Sequence, residues 1–472
     1  MQSFITELVT RHPGIATSMQ RDDVIRNSRD RWPQAAKWSV EETRQHTPAA
    51  VVYASSTADV SAVLTLASEY STPVVPYGAG SGVVGGVVGR GDFVSLDLSG
   101  LNGEPQFEDE RGEVTVPAGV LGGELERMLN ARGRRLPHYP QSLSLASVGG
   151  LIATRSSGTF SSKYGNIEDL LVGLEVVLAD GTVVTTKISA RSATGPSIAQ
   201  LFVGSEGTLG VITAVTLRTL PLPITRVFRG VGFDGLGEGI AAVRSILDAG
   251  VTPAVIRLYD PAEAEHIFVK SNLEPGQVLL ILGFDGHPVV VEAEQSTALG
   301  LADEAGGVDL GTTPGEVWER SRFDASWLDR GNAGEFSYAD AIEVSASWPQ
   351  LQILHSRVLD ALAPHVDTAY AHYSHFYPNG GAIYFILFTS GADAETARER
   401  YQAAWNVTLK TVLDHGGSIS HHHGVGEARK DWMMREHGDS LRVLTAIKQA
   451  LDPQGLLAPG KLGIVTQQEA LR

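Results

Sequence analysis

Residues 76–91 read Pro76-Tyr-Gly-Ala-Gly-Ser-Gly-Val-Val-Gly-Gly-Val-Val-Gly-Arg-Gly91. From Gly80 the string Gly-Ser-Gly-Val-Val-Gly satisfies G-x-G-x-x-G, the spacing of a dinucleotide fingerprint. That fingerprint needs a helix opening at the third Gly, so that its N-terminus faces a pyrophosphate. Here Gly85-Gly-Val-Val-Gly-Arg-Gly91 follows, and so much Gly and β-branched residue does not propagate a helix. The stretch reads as a loop rather than a Rossmann turn. Consecutive glycines still let backbone N–H groups approach an anion closely, so a phosphate cradle and an ordinary loop over a sheet edge both stand.

The text on either side frames this loop. Ala49-Ala50-Val51-Val52-Tyr53 reads as a strand, Thr57 as the N-cap of a helix running to Glu69, and Pro73-Val74-Val75-Pro76 as a second strand. Further on, short β-rich runs at 93–98, 113–116, 171–178 and 183–187 are separated by turns such as Ala179-Asp180-Gly181. Pro221-Leu222-Pro223 marks a boundary. Beyond it, strands at 279–284 and 383–388 alternate with helices such as 394–414, and a last helix covers 441–451. Residues 1–46 read as helical or irregular. This gives four segments: 1–46, 47–223, 224–440 and 441–472. Three more Gly/hydroxyl runs lie within the second: Ser142-Leu-Ser-Leu-Ala-Ser147-Val-Gly-Gly150, Thr154-Arg-Ser-Ser-Gly158 and Ser205-Glu-Gly-Thr-Leu-Gly210. Several donor-rich loops in one segment favour a polyphosphate-bearing ligand over a single bland turn.

Composition bounds the rest. The chain has 472 residues, 37 basic and 54 acidic, a formal charge of −17, and no cysteine. That excludes disulfides, zinc–cysteine sites, Fe–S clusters and thiol nucleophiles. The acidic balance argues against nucleic-acid binding. Residues 1–14 lack a signal-peptide pattern, no apolar run reaches transmembrane length, and Glu469-Ala470-Leu471-Arg472 is not a peroxisomal signal. The expectation is a cytoplasmic protein with no transmembrane segment, peripheral membrane contact being left open.

Taken together, Pro76–Gly82, Ser147-Val-Gly-Gly150, Tyr164-Gly-Asn-Ile-Glu-Asp169 and Gly204-Ser-Glu-Gly-Thr-Leu-Gly-Val-Ile-Thr213 resemble the vanillyl-alcohol oxidase/p-cresol methylhydroxylase flavoprotein superfamily. The resemblance implies an α+β fold: a two-subdomain FAD-binding domain of the p-cresol methylhydroxylase type, an α+β cap, and a C-terminal return to the FAD domain. It implies FAD contacts at Pro76, Tyr77, Gly78, Ala79, Gly80, Ser81 and Gly82, and at His138, Gln141, Ser142, Ser147 and Gly150. Further contacts fall on Thr154, Arg155, Ser156 and Ser157, and on Glu206, Gly207, Gly210 and Ile212. Gln141 departs from the acidic residue usual at its loop. Some members bind FAD covalently through a His in the Gly-rich loop; this loop has none, and the chain has no Cys, so noncovalent FAD is expected.

Within the superfamily the sequence is most similar to the alkyldihydroxyacetonephosphate synthase family, on His138, Ile256-Arg257-Leu258, Ile383-Tyr384-Phe385 and Ser420-His421-His422-His423-Gly424-Val425-Gly426. Histidine titrates near neutrality and suits proton transfer. The alternation of 418–423 suggests a strand with His421 and His423 on one face and His422 on the other. A metal site needs three or four convergent ligands, and Glu427 is the one nearby carboxylate, so no metal is expected. Tyr384 on periodicity alone is a core aromatic; the resemblance makes it catalytic, with Arg257 as support. The resemblance also implies an anion-anchoring Arg, for which Arg330 and Arg322 compete.

The implied reaction exchanges the acyl group of an acyl-dihydroxyacetone phosphate-like substrate for a long-chain alcohol through a flavin N5 adduct. The alternative is an FAD-linked oxidase or dehydrogenase taking a hydride from an alcohol or 2-hydroxy acid. The metal-binding runs of the 2-hydroxy-acid dehydrogenases are replaced here by Asn379-Gly-Gly-Ala-Ile-Tyr384 and His421-His-His-Gly424. A homodimer acting on a small or lipid-like molecule is expected by analogy.

Overall fold

The computed structural model describes residues 1–268 and 274–464. The expectation about the C-terminal tripeptide lies outside them. Two sheets share the apolar core of the N-terminal half. In the first, Ala50–Tyr53, Val94–Asp97 and Val74–Tyr77 run parallel, with Ala16–Ser18 added antiparallel at the edge. Residues 1–46 are therefore not simply helical: one short strand of theirs completes the sheet. The second sheet is antiparallel, in the order Gln106–Glu108, Glu113–Pro117, Val211–Arg218, Leu171–Val177, Val183–Thr185. Val52, Leu96, Val116, Val176 and Val215 are all fully buried between these sheets and the helix Thr57–Glu69. Each such side chain contributes roughly 1.5–3 kcal/mol by leaving water. That helix starts one residue earlier than expected. Ser56, not Thr57, holds the extended cap conformation, and its Oγ accepts from Asp59 N at 3.1 Å.

The C-terminal half is built on one seven-stranded antiparallel sheet. Its order is Val308–Gly311, Thr225–Phe233, Val278–Gly286, Val255–Tyr259, Thr368–Tyr377, Gly380–Ser390, Ser337–Ser347. Period-two alternation divides its faces. Ile256, Leu258, Leu280, Leu282, Tyr338, Ile342, Val344, Ile383, Phe385 and Leu387 join one apolar cluster with the helices Leu236–Asp248, Trp348–Leu362 and Ala394–Asp414. The opposite face carries Arg257, His372, Tyr384 and Glu343 and is turned toward the N-terminal half. Hydrogen bonds from His375 to Gly158 O, from Arg135 to Asp285 and between Tyr377 and Asn166 cross that junction.

After the helix Leu441–Leu451 the chain returns to the first sheet. Val74 N donates to Leu456 O and Ala458 N to Val74 O. Lys461 Nζ, 1 % exposed, reaches both Gly85 O in the Gly-rich loop and Glu427 Oε1, each at 2.8 Å. No helix among the described residues is long and apolar enough to cross a membrane. The expected α+β architecture is borne out.

Candidate active site

Three residues sit side by side across the polar face of the large sheet. Glu343 is opposite Tyr384, and Tyr384 is opposite His372, in adjacent antiparallel strands. Directly opposed side chains on one face are neighbours. The Tyr384 ring stacks on His372 at 4.8 Å between centroids. Its hydroxyl meets His422 Nε2 at 3.3 Å. Burial, then the Glu343 charge, hold the phenol far above its ordinary range, while Arg257 pulls it back.

The histidine run is not a strand. It is a turn wrapped around one carboxylate, and this corrects the alternating-face expectation. Glu343 accepts from the backbone N–H groups of His421, His422 (3.3 Å) and His423 (2.8 Å), and from Ser420 Oγ at 2.9 Å. An extended strand would send successive N–H groups in opposite directions; convergence on one acceptor requires the chain to curl. The His422 and His423 rings consequently lie against Tyr384, at 5.7 and 6.2 Å between centroids, while the His421 ring lies against His375 and Tyr377. Arg429, fully buried, balances Glu343 at 3.2 Å. Burial lowers His421 and His423 to about 4, against the opposing pull of Glu343, and burial with the neighbouring histidines holds His422 well below its ordinary range, so the run is neutral at pH 7.

Glu427, the carboxylate expected near the run, pairs instead with Lys461, Lys430 and Arg90. Glu343, His421 and His422 do bring three ligand-type atoms within 4.8 Å of one another. Both Glu343 oxygens, however, already accept N–H and O–H donors, which leaves the group better fitted to hold a proton network than an ion.

A hydrogen-bonded chain leads away from Tyr384. His422 Nδ1 lies 3.1 Å from His421 Nδ1, His421 Nε2 lies 2.8 Å from Tyr377 Oη, and Tyr377 Oη meets Asn166 Oδ1 at 3.3 Å. One set of protonations satisfies every link: each group donates to the next, from Tyr384 to Asn166. On the other side, Arg257 Nη2 lies 2.6 Å from His372 Nε2, and His372 Nδ1 lies 2.8 Å from Glu263 Oε2. His375, at a bulge with φ +54°, joins Ser374 Oγ and Gly158 O. His372, His375, Tyr377, Glu263, Glu343 and Arg429 were not singled out from sequence. The repeated His and Tyr in Tyr370-Ala-His-Tyr-Ser-His-Phe-Tyr377 were the available signal.

The expected FAD loops converge beside this cluster. A Cβ on Gly78 would lie 2.6 Å from Ser147 Oγ, so the first loop crosses tightly over the second. Ser147 caps the helix Val148–Ala153 by accepting from Gly150 N. Gly80 has φ +61° and its missing Cβ makes room for the Tyr77 hydroxyl. Ala79, Ser81 and Gly82 complete that loop. The Gly85 and Gly86 N–H groups are taken by buried Asp30 Oδ2 at 2.9 and 3.0 Å, so the third Gly of the G-x-G-x-x-G string serves the protein's own carboxylate. Thr154 Oγ1 bonds Gly150 O, Ser157 Oγ bonds Asn166, and Ser156 Oγ bonds His138 Nε2 at 3.2 Å.

Arg155 (φ +55°) is exposed and paired with Glu168. Gln141 is exposed and reaches Asp324 O, with Ser142 half-buried next to it. The Glu206 carboxylate accepts from Val425 N and Gly426 N, clamping the far end of the histidine run. Gly207 leaves room for Pro76, Gly210 packs on Val176, and Ile212 is buried in its strand. His138 Nδ1, Ser205 Oγ and His423 Nδ1 are buried without a hydrogen-bond partner. Buried polar atoms are rarely left so, and together with the Gly/hydroxyl loops these residues fit a polar, phosphate-bearing cofactor such as FAD.

The two candidate anchors differ. Arg330 is exposed and bonds only Ser326 Oγ, one helical turn away, among the described contacts. Arg322 lies 5.1 Å from the Tyr139 ring centroid, 5.3 Å from Phe160 and 5.9 Å from Trp318, and bonds Thr159 Oγ1 at 3.3 Å. Burial, with the nearby Arg226 charge, lowers it to about 10. Arg257 lies over the same Trp318, at 6.0 Å.

The chain is similar to known flavoproteins over most of its length. Residues 48–187 match the model of an FAD binding domain, and residues 222–462 match that of the C-terminal domain of FAD linked oxidases. Alkyldihydroxyacetonephosphate synthase of Dictyostelium discoideum is 30% identical over 451 residues, covering 89% of this chain and 74% of the relative. The FAD-linked oxidoreductase YgcU of Escherichia coli is 32% identical over 439 residues, covering 88% and 89%. A solved structure of alkyldihydroxyacetonephosphate synthase superposes with a TM-score of 0.82 at 24% identity, covering 98% of this chain and 86% of that one.

Proposed function

The chain belongs to the FAD-linked oxidase family, with FAD as its cofactor, and from that premise we propose that it exchanges the acyl group of an acyl-dihydroxyacetone phosphate-like substrate for a long-chain alcohol. The observation that carries this reading is the contact between Tyr384 Oη and the neutral His422 Nε2, beside a half-buried Arg257 held by His372 and Tyr259. FAD, when bound, supplies an electrophilic ring able to take up an electron pair with carbon or with hydride. The chain's own residues do the rest. Gly78–Gly82 and Ser147–Gly150 hold the cofactor's phosphates, and Ser205, His138 and His423 offer it their unpaired polar atoms.

Arg322 anchors the substrate's anionic end in its aromatic cage, and Arg257 stabilises negative charge next to Tyr384. His422 receives a proton from the substrate carbon by way of Tyr384 Oη and returns it at the end of the cycle; the acyl group leaves that carbon as a fatty carboxylate, the alcohol oxygen bonds in its place and gives up its own proton, and no electrons are gained or lost overall. We also take the FAD to be dissociable, since residues 76–91 contain neither His nor Cys.

The second reading is an oxidoreductase acting on an alcohol or 2-hydroxy acid. The relation to an FAD-linked oxidoreductase favours it, and the same neutral His422–Tyr384 pair can accept a hydroxyl proton as hydride leaves carbon. One anaerobic experiment separates the two. Release of fatty acid from acyl-dihydroxyacetone phosphate in the presence of hexadecanol, lost in Tyr384→Phe, supports the exchange. Stoichiometric bleaching of the flavin by an alcohol or hydroxy acid, with an oxidised product, overturns it in favour of the second.

A further inference from the structure

Glu343 lies outside the Gly-rich and hydroxyl loops, yet it has more donors aimed at it than any other carboxylate described above. It is 0 % exposed, on the strand Ser337–Ser347, directly across from Tyr384. Oε1 receives His423 N at 2.8 Å, Ser420 Oγ at 2.9 Å and Arg429 Nη2 at 3.2 Å. Oε2 receives His421 N and, at 3.3 Å, His422 N. A buried carboxylate is retained in the charged form only when its lone pairs are filled in this way; burial pushes Glu343 up, and the Arg429 charge above all, with the histidine run, holds it below the ordinary carboxylate range.

Three consecutive N–H groups cannot point at one atom pair unless the chain turns there, so the carboxylate and the turn imply each other. The turn then decides where the rings go. Because Glu343 and Tyr384 are cross-strand partners, a run wrapped on Glu343 is delivered to Tyr384. An uncharged residue at 343 would leave 418–423 free to continue as the strand its sequence pattern suggests, starting from the bridge between Ser345 and Ser418. His422 would then face away from His421.

We propose that Glu343 is the positioning residue of this site: its carboxylate folds 421–423 into a turn and so holds His422 against Tyr384 and in line with His421 and Tyr377. It never touches substrate or cofactor in this role. The proposal rests on the proton-transfer reading given above, and deepens it by naming what sets the geometry and the charge state of the run. The charged and titratable groups that face the run are Glu343, Tyr384, His375 and Tyr377 from the sheet, Arg429 from the helix that follows the run, Glu436, which takes Ser418 Oγ and Ile419 N at its start, and Glu206, Arg155 and His138 from the N-terminal half.

The test compares Glu343→Gln, Glu343→Asp and Ser420→Ala in the FAD-loaded enzyme, with two readouts. The first, imidazole ¹⁵N chemical shifts, needs no substrate, so it stands even where both substrate assignments fail. The wild type is expected to show His421 and His422 as single fixed tautomers; Gln, which turns an amide N–H toward the backbone donors, averages them, while Ser420→Ala leaves them fixed. The second readout is the pH profile of turnover. Loss of the carboxylate field, which raises His421 and His423, moves the acidic limb to lower pH in Glu343→Gln and lowers kcat ~100-fold or more. Glu343→Asp keeps the charge, so the limb stays while kcat falls. If Glu343→Gln does not retain FAD, the Asp variant decides. Fixed tautomers and an unmoved kcat in whichever of the two folds overturn the proposal.

Discussion

Nη2 of Arg257 lies 2.6 Å from Nε2 of His372. A guanidinium carries donors only, so the imidazole must accept there, and its one proton must sit on Nδ1, where Glu263 receives it at 2.8 Å. Glu263, His372 and Arg257 thus form an ordered line that aims a cation at the Tyr384 side of the sheet. His372 is occupied at both nitrogens and is an orienting group rather than a base. His372→Phe keeps the stack on Tyr384 but removes the acceptor, and kcat/KM is expected to fall ~10²-fold, whereas His372→Gln, which can still accept, falls ~10-fold or less. Equal losses in steady-state kinetics would argue that packing alone matters at this position.

Tyr377→Phe interrupts the line from Tyr384 to Asn166 without disturbing the Tyr384–His422 contact. FAD affinity should be unchanged. Turnover should drop ~10-fold and acquire a larger solvent deuterium isotope effect, because the proton then has no bonded route past His421. An unchanged isotope effect would mean that protons leave by another way.

Arg322 and Arg330 are separable by kinetics. Arg322→Ala should raise KM for an anionic substrate by ~10²-fold with a smaller change in kcat, and it should have little effect on an uncharged analogue. Arg330→Ala, at an exposed site with one intrahelical contact, should stay within ~2-fold of the wild type. The reverse ranking in KM measurements would move the anchor to Arg330.

Asp30 carries a pH prediction with a definite sign. Burial pushes its carboxyl up to about 6 from 3.8, against the backbone N–H groups of Trp32, Gly86 and Gly85. The folded state therefore binds this proton more tightly than the unfolded chain does. Its contribution to stability is present below about pH 4 and is lost as pH rises through 6. Asn at this position has no such loss. The stability of Asp30→Asn minus that of the wild type should climb between pH 4 and 6 and level off above, by up to about 3 kcal/mol. Denaturant titrations across that range check it; a flat difference would show that Asp30 is ionised at ordinary cost.

Much of this molecule was legible in the chain itself. The helix 394–414 followed from an amphipathic period, the Gly-rich loop was recognisable as a loop from the helix-breaking residues after it, and Tyr384 with His421–His423 stood out as a motif. These are local properties, encoded in residues a few positions apart. What only the tertiary structure decided is which polar residues of the strands face the site. Asp340 and Glu343 lie three positions apart in the same strand, both buried and both acidic. Asp340 turns to the helices and bonds Tyr401 and Trp405; Glu343 turns to the histidines. Strand alternation says that they point opposite ways, but not which way is inward, because that depends on pairing with strands tens of residues distant. The same holds for the turn at 421–423. Its own alternating pattern is that of a strand, and it is a buried carboxylate almost eighty residues earlier that bends it.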